Sequence, residues 1–524
     1  VSNFQNVDAS SLASGVTITG SSGANTLTGS SANDVIDGNG GADILQGGAG
    51  SDSITYRGTE ASIDGGIGTD TLILSAAGGI TTVNLGVTPG SDQTTGDAVS
   101  VSNFENVNAA ALSTGLTFLG SSGANIITGT SGADTLDGNG GADVIAAGAG
   151  NDTVTYRGNE ASIDGGANVN TLVLAATVSV NLLNSDQTSG DSTNVTQFQN
   201  VDASGLSSGV TLTGSASANV LTGGTGDDVI DGNGGADTIN AGAGNDQVHY
   251  RGGETLLDGG TGTNSLVLDS AAAINLGLAD QSSSDSTLVT GFQNVDASGL
   301  VASVTLFGSS GANILTGGGA ADTLDGNGGA DTLLGGNGND TITYRGTESI
   351  IDGENGSDML VLAANGGMSA IDLRAGSGAD QTAGDSVAVA NFENVDANAL
   401  STGLTIYGSV STNLLTGGSG ADTIDGNGGA DTIQAGAGND TVHYWGTEAL
   451  LNGGTGANTL ILHAITDIDL TATDQTAGDA VNALNFQNVD ASDLTTGITM
   501  LGSTGTNSLT GSSDDDVIDG NGGA

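Results

Sequence analysis

The sequence predicts an all-β solenoid, and three observations lead to this fold class. A nine-residue unit of the form G-G-x-G-x-D-x-U-x, where U is aliphatic, recurs back to back, as in GGAGSDSIT at 47–55. The eighth place of each row of the first block is aliphatic, while glycines free the turns between these places. The whole pattern then repeats at a longer period. Neither an amphipathic helix nor a hairpin has a nine-residue period, so the aliphatic places predict a column of inward-facing side chains.

Six such nine-residue rows form one block, which runs from Gly20 to Ile73. Their eighth places are Leu27, Ile36, Leu45, Ile54, Ile63 and Leu72. If each row is a six-residue turn followed by a short strand, two rows make one coil. Turns 18 residues apart then stack on the same edge of the solenoid.

The block is contained in a longer repeat, which we call a module. Connecting segments of 46 or 40 residues separate successive blocks, and each carries a variant of FQNVDASxLxxGVTxxG. The five modules are 20–119, 120–213, 214–307, 308–407 and 408–501, preceded by the end of a connecting segment at 1–19 and followed by the truncated start of a sixth module at 502–524. Such self-similarity predicts a quasi-one-dimensional array. We expect it to be a stretch of a longer protein, rising about 25 Å per module if each connecting segment adds two coils.

Composition indicates cations as partners. The chain has 59 acidic residues and five basic ones, all arginine, for a net charge of −54. This charge excludes nucleic acid and anionic membranes as direct electrostatic partners. There is no cysteine, so metal ions are the alternative to disulfides as staples. No apolar run approaches the length of a membrane span, so we expect no direct membrane insertion.

Stacked turns would bring oxygen ligands together. Asp34 should lie next to Asp52 and Asp52 next to Asp70 on one edge, with Asn25 next to Asp43 on the other. Calcium takes six to eight oxygens from carboxylates and carbonyls. We therefore predict two or three Ca²⁺ ions per module. The candidate ligands are Asp34, Asp43, Asp52, Asp70, Asp134, Asp143, Asp152, Asp228, Asp237, Asp246, Asp322, Asp331, Asp340, Asp358, Asp422, Asp431, Asp440 and Asp516.

In three modules the last acidic place is neutral. Asn170, Asn264 and Asn458 stand where modules one and four have Asp70 and Asp358. Those sites should be weaker. Asp and Gly also favour ordinary β-turns without any metal, but the recurrence of Asp at one phase of several rows per block favours calcium.

These blocks resemble the RTX (repeats-in-toxin) calcium-binding β-roll family of secreted bacterial proteins, and the resemblance covers nearly the whole chain. It implies a right-handed parallel β-roll or β-helix solenoid, type I secretion, and folding triggered by calcium outside the cell. One row departs from the family pattern in every module: the fifth reads Tyr-Arg-Gly-x-Glu, or Tyr-Trp-Gly-x-Glu in module five.

The fifth row has two interpretations. It is either a lateral contact patch, because Tyr and Arg are favoured at interfaces, or an Arg–Glu pair closing a calcium-free turn with Tyr over the core edge. His249 and His443 are expected to be strand-surface residues, and His463 stands alone. The acidic pair of each DQTTGD-like loop, such as Asp92 and Asp97, predicts a solvated turn or an auxiliary cation site.

The chain has no HExxH, no GxxxxGK and no cysteine nucleophile. We expect no enzyme. The favoured function is a calcium-rigidified extracellular rod in a bacterial surface layer, filament or giant adhesin, in contact with further copies or neighbouring repeats. The alternatives are a secretion or stability module of a larger secreted enzyme or toxin, and an ice- or carbohydrate-binding extender.

Overall fold

The aliphatic column of the repeat forms the core. In a computed structural model, which describes residues 5–282 and 285–523, each row contributes a strand of three or four residues in most cases. The central aliphatic residue points inward: Ile36, Leu45, Ile54 and Leu72 are fully buried. Full burial of such a side chain contributes about 1.5–3 kcal/mol, so the column is the main source of apolar stabilisation.

Strands 18 residues apart pair in parallel. Thr26 lies opposite Ile44, and Val35 lies opposite Ser53. Two rows therefore make one coil, and the predicted all-β parallel solenoid is confirmed. Among the described residues there is no helix with the length and apolar character that a membrane span needs.

The chain divides into two units, Val1–Asn264 and Ser265–Ala524. The strands of the first unit are Asn6–Asp8, Thr17–Thr19, Thr26–Thr28, Val35–Asp37, Ile44–Gly50, Ser53–Tyr56, Ser62–Gly68, Thr71–Leu74, Thr82–Asn84, Thr94–Thr95, Ser100–Ser102, Asn106–Asn108, Thr117–Leu119, Ile126–Thr128, Thr135–Asp137, Val144–Ala146, Thr153–Tyr156, Ser162–Asp164, Thr171–Leu174, Ser179–Asn181, Thr188–Ser189, Asn194–Thr196, Asn200–Asp202, Thr211–Thr213, Val220–Thr222, Val229–Asp231, Thr238–Asn240, Gln247–Tyr250 and Leu256–Asp258.

The strands of the second unit are Ser265–Leu268, Ala273–Asn275, Leu288–Thr290, Asn294–Asp296, Thr305–Phe307, Ile314–Thr316, Thr323–Asp325, Thr332–Leu334, Asn337–Gly338, Thr341–Tyr344, Ile350–Asp352, Asn355–Gly356, Met359–Leu362, Ala370–Asp372, Thr382–Ala383, Ala388–Ala390, Asn394–Asp396, Thr405–Tyr407, Leu414–Thr416, Thr423–Asp425, Thr432–Gln434, Thr441–Tyr444, Leu450–Asn452, Thr459–Leu462, Asp467–Asp469, Thr476–Ala477, Asn482–Leu484, Asn488–Asp490, Thr499–Leu501, Leu509–Thr510 and Val517–Asp519.

One sheet runs through each connecting segment without a break, while the other ends there and a new sheet begins. In the first unit a nine-stranded sheet passes from module one to module two, with Asn106–Asn108 as the single strand between Thr71–Leu74 and Ile126–Thr128. In the second unit a ten-stranded sheet joins modules in the same way through Asn394–Asp396. Each of these connecting segments thus adds about one and a half coils rather than two, and the rise per module is about 22 Å at 4.8 Å per coil.

A short antiparallel pair interrupts the parallel order in the connecting segments. In module one Thr94–Thr95 folds back on Thr82–Asn84, and modules two, four and five have the same pair. The Gln93 side chain anchors this hairpin, because its Nε2 donates to the Phe104 carbonyl at 2.8 Å and its Oε1 accepts the Phe104 N–H at 2.9 Å. The nonapeptide periodicity does not extend into this segment, so it could not predict the hairpin.

The acidic pair of the DQTTGD loop serves this hairpin. Asp92 Oδ1 accepts the N–H of Val101, and Asp97 Oδ2 accepts the hydroxyl of Tyr56 at 2.7 Å. The same Tyr–Asp contact recurs in modules two, four and five. These carboxylates are therefore held by protein donors in the loop.

The fifth row is a turn closed by side chains. Glu60 accepts the backbone N–H groups of Arg57 and Thr59. Arg57 and Glu60 thus close the turn through the backbone N–H of Arg57, while the Arg57 guanidinium binds Asp37 through two hydrogen bonds of 2.8 and 2.7 Å. Tyr56 is fully buried, which supports the structural interpretation of this row over an exposed contact patch.

Candidate metal centre

The turns of the motif owe their shape to residues with positive φ. In GGAGSDSIT, Gly48 has φ +108° and Gly50 has φ +120°, a region that most L-residues avoid and glycine enters freely. Asn39, at the second place of the row GNGGADILQ, has φ +62°, which asparagine tolerates better than most residues. The spacing of the glycines thus follows from the backbone path of the turn.

One oxygen of each motif aspartate links neighbouring coils. Asp52 Oδ1 accepts the N–H of Asp34 at 2.7 Å, and Asp70 Oδ1 accepts the N–H of Asp52 at 2.8 Å. On the other edge Asp43 Oδ1 accepts the N–H of Asn25 at 2.7 Å. The structure therefore brings the sequence-predicted residues together at the 18-residue spacing.

The second oxygen of twelve of these carboxylates has no hydrogen-bond partner, although it is buried. The twelve are Asp43, Asp52, Asp70, Asp143, Asp152, Asp237, Asp246, Asp331, Asp340, Asp358, Asp431 and Asp440. A buried charged oxygen without a partner costs several kcal/mol. Such atoms call for a cation, and all twelve belong to the predicted set.

Burial raises the pKa of each of the twelve carboxyl groups. The pKa rises to about 6 for Asp70, and neighbouring carboxylates add to the effect of burial there. For Asp358 it rises to about 7 from the same causes. The carboxylates are thus poorly stabilised by the protein alone, as expected of groups that a cation would neutralise.

The aspartates of the second row differ from the other candidates. Asp34 Oδ2 accepts the N–H of Ser30 at 2.5 Å, because Ser30 lacks the positive φ of Gly48 and its N–H points at the carboxylate. The backbone N–H at the same place of the row donates in the same way to Oδ2 of Asp134, Asp228, Asp322 and Asp422. Asp516, also in a second row, accepts the Ile498 N–H and the Ser512 hydroxyl. These six are satisfied by protein donors, so their role as ligands stays a prediction with weaker support.

The last row provides a natural comparison between carboxylate and amide. In module five Asn458 Nδ2 donates to the carbonyls of Gly453 and Asn485 at 2.6 and 3.2 Å. In module four the equivalent Asp358 Oδ2 and the Asn391 carbonyl both face the space that a Cβ on Gly353 would occupy. The Asp358 carboxylate oxygen and the Asn391 carbonyl oxygen are both acceptors, and no N–H or O–H donates to Asp358 Oδ2. A cation satisfies both, so the residues present fit a calcium ion.

A second acidic residue accompanies the aspartate in the same modules, and the sequence reasoning missed it. Glu105 Oε2 accepts the N–H of Asp70 at 2.8 Å, and Glu393 Oε2 accepts the N–H of Asp358 at 2.9 Å. In modules two and five glutamine replaces this glutamate and accepts from Asn170 and Asn458 at 2.7 Å. The visible signal was the alternation of FEN and FQN in the connecting segments, which matches the alternation of Asp and Asn.

A family model described as the RTX calcium-binding nonapeptide repeat (4 copies) matches residues 19–54, 119–154, 213–248, 307–342, 407–442 and 499–524. The matched rows are RTX calcium-binding nonapeptide repeats. No curated protein matches the chain. Each of the first five matches covers four rows and ends before the Tyr-Arg-Gly or Tyr-Trp-Gly row, where the motif is lost. RTX repeats bind calcium ions and are typical of secreted bacterial proteins.

The RTX assignment agrees with the unpartnered oxygens. Within the matched ranges lie Asp43 and Asp52 and their equivalents, whereas Asp70 and Asp358 lie just beyond them. Calcium bound at these turns would neutralise the carboxylates that burial has deprived of water, with backbone carbonyls of the turns available as further oxygen ligands.

Replacing Asp52 by Asn is expected to remove calcium, while Asp34→Asn is not. Asp52 carries an unpartnered buried oxygen, whereas both oxygens of Asp34 already accept N–H groups. Calcium per chain, measured by equilibrium dialysis, should fall by at least one for Asp52→Asn. An equal loss in both variants would contradict the assignment of the twelve sites.

Proposed function

We propose that this chain is a calcium-rigidified structural array of a secreted bacterial surface protein, in which length and stiffness are the function. The observation that carries this proposal is that one sheet continues from each module into the next. Within each unit the connecting segment contributes its own strand to that sheet, and the strand hydrogen bonds run on through it. A flexible linker between modules would have broken this order.

Calcium supplies the switch in this function. We propose one ion for each unpartnered carboxylate, that is three ions in modules one and four and two in each of modules two, three and five. At low cytosolic calcium the buried carboxylates repel one another and oppose folding. Affinity of extracellular calcium modules is typically about 10⁻⁴–10⁻³ M, which suits folding after export, and export by type I secretion is part of the same proposal.

The parent protein is proposed to be a surface layer, a filament or a giant adhesin. A net charge of −54 opposes side-by-side contact of copies unless cations bridge them. Lateral self-association should therefore depend on calcium beyond the amount that fills the turns.

Small-angle scattering in calcium and in EGTA tests the structural function. With calcium, the maximum dimension should match a stiff array and should not change when one connecting segment is replaced by that of another module of equal length. A flexible string of modules in saturating calcium would refute the rigid-spacer function.

Replacing the aspartate of the last row together with the glutamate that accepts its N–H is a sharper test of the number of bound calcium ions. Asp70→Asn with Glu105→Gln reproduces the pair found in module five, so the protein should fold and bind one calcium ion fewer. The reverse change, Asn458→Asp with Gln487→Glu, should add one ion. Isothermal titration calorimetry gives both numbers, and unchanged stoichiometry in the two variants would refute the last-row site.

One observation bears on the ice-binding alternative. Thr82, Thr117, Thr135, Thr153 and Thr171 lie in register on successive strands of one sheet. The next outward column, however, reads Asn84, Leu119, Asp137, Thr155 and Val173. A regular array of one residue type is only one column wide, which favours the structural function.

A further inference from the structure

Module five combines four side chains that meet in space and that no other module has together. It has His443 where modules one, two and four have threonine, and Trp445 where the others have arginine. It has His463 where modules two and four have alanine, and Asp493 where the others have Ala or Gly. The other modules have the same backbone arrangement, so the residues at their equivalent places show what the fold needs without this cluster.

The two imidazoles share one bond. His443 Nδ1 and His463 Nε2 lie 2.8 Å apart, and the rings are within 12° of parallel with centroids 5.1 Å apart. The rings therefore meet edge to edge, with one nitrogen of each aimed at the other. One N–H donates to the other ring.

The surroundings orient His463. Its Nδ1 lies 3.4 Å from Asp493 Oδ2 on the side away from His443. The Trp445 ring stacks on the His463 ring with centroids 4.1 Å apart. A carboxylate on the far nitrogen and a flat ring on the face are the outer contacts that hold metal-ligating histidines in place.

The cluster has also lost a positive charge. In module one Arg57 neutralises Asp37, and in modules two and four the equivalent arginines do the same. In module five Trp445 Nε1 donates to Asp425 Oδ1 at 2.8 Å but brings no charge, although Asp425 is only 8% exposed. The local field of Asp425 and Asp493 therefore favours a cation at the histidine pair.

We propose that His443 and His463 form a binding site for a divalent transition-metal cation of the Cu²⁺, Ni²⁺ or Zn²⁺ class. Imidazole suits these metals, whereas calcium prefers oxygen ligands. Two nitrogens bound at about 2.0–2.1 Å lie about 2.9 Å apart at a right angle and about 3.3 Å at a tetrahedral angle. The observed spacing needs little change in separation, and His463 lies just beyond the strand Thr459–Leu462, where its ring can turn. When the metal binds, the shared proton leaves the facing nitrogen and, by exchange with water, the same ring takes a proton on its other nitrogen, so both facing nitrogens offer a lone pair.

Protonation state supports the same site. Burial lowers the pKa of His443, and the nearby Asp425 and Asp493 only partly oppose this effect. A neutral imidazole keeps the lone pair that a metal needs. The site is independent of the calcium-dependent function, because neither histidine lies in a calcium turn.

Copper binding to the tag-free, calcium-saturated full chain tests the site. Cu²⁺ is the probe, and electron paramagnetic resonance reports nitrogen coordination. We expect one equivalent with two nitrogen ligands, lost or at least tenfold weaker in His443→Thr and in His463→Ala. These substitutions place residues that other modules carry at the same positions, so folding should persist, as circular dichroism would verify.

Two further variants separate the site from general copper binding. Asp493→Asn should weaken binding about tenfold by loosening His463, and Trp445→Arg should weaken it by returning a positive charge. Thr343→Ala, at the place of His443 in module four, should leave it unchanged. If the double variant His443→Thr, His463→Ala keeps the two-nitrogen signal, or the unmodified chain never shows it, the pair holds only a proton.

Discussion

Removing calcium with EGTA is expected to abolish most of the β-sheet signal in circular dichroism, and added calcium should restore it. Among the residues that the structure describes, twelve buried carboxylate oxygens lack a protein donor. Each unsatisfied buried group costs about 1–3 kcal/mol, and more when charged. Each module has two or three such groups, which offset much of the 5–15 kcal/mol by which a folded domain is usually stable. The calcium-free array should therefore be largely unfolded at neutral pH.

Magnesium is the matched control for this experiment. Mg²⁺ has the same charge but demands near-ideal octahedral geometry at 2.0–2.1 Å, and it gives up its bound water molecules reluctantly. It should restore little structure at equal concentration. A circular dichroism spectrum that EGTA does not change, or that magnesium restores as well as calcium does, would show that the carboxylates are satisfied without calcium.

Acidifying the calcium-free protein is expected to restore part of the same β-structure. Burial raises the pKa of Asp143, Asp152 and Asp237 to about 6 and that of Asp358 to about 7, whereas an unfolded aspartate titrates near 3.9. Between these values the folded chain binds more protons than the unfolded chain. Its stability therefore rises as the pH falls from about 7 toward 4.

The calcium-loaded protein should respond in the opposite way. Protons and calcium compete for the same carboxylates, so apparent calcium affinity should fall over this pH range. Circular dichroism from pH 7.5 to 5, in EGTA and in calcium, measures both trends. This pH range lies above the sequence pI of about 4.1, where solubility is lowest. Calcium-free protein that loses structure on acidification would contradict the burial of these groups.

The sequence alone determined the fold class and the candidate carboxylates. The nine-residue period is local: it sets which side chain of every row points inward and which turn residues adopt positive φ. Ile54 and Asp52 therefore had predictable environments, and the 18-residue pairing of strands followed from the same period.

Tertiary structure decided which carboxylates lack a partner. Asp34 and Asp52 occupy the same place in their rows, but the N–H of Ser30 reaches Asp34 while no donor reaches the second oxygen of Asp52. That difference depends on the orientation of single peptide groups. Likewise, the Arg57 guanidinium binds Asp37 of an earlier row and not Glu60 of its own row, because the neighbouring coil places the Asp37 carboxylate beside it.

Contacts between residues far apart in sequence were also beyond the pattern. Glu105 reaches Asp70 across 35 residues, and His463 meets His443 across 20. Both contacts arise because the solenoid stacks distant rows about 4.8 Å apart. A repeat period determines what each coil contains, whereas the stacking of coils decides which of its polar atoms are satisfied by protein and which are left for a metal ion.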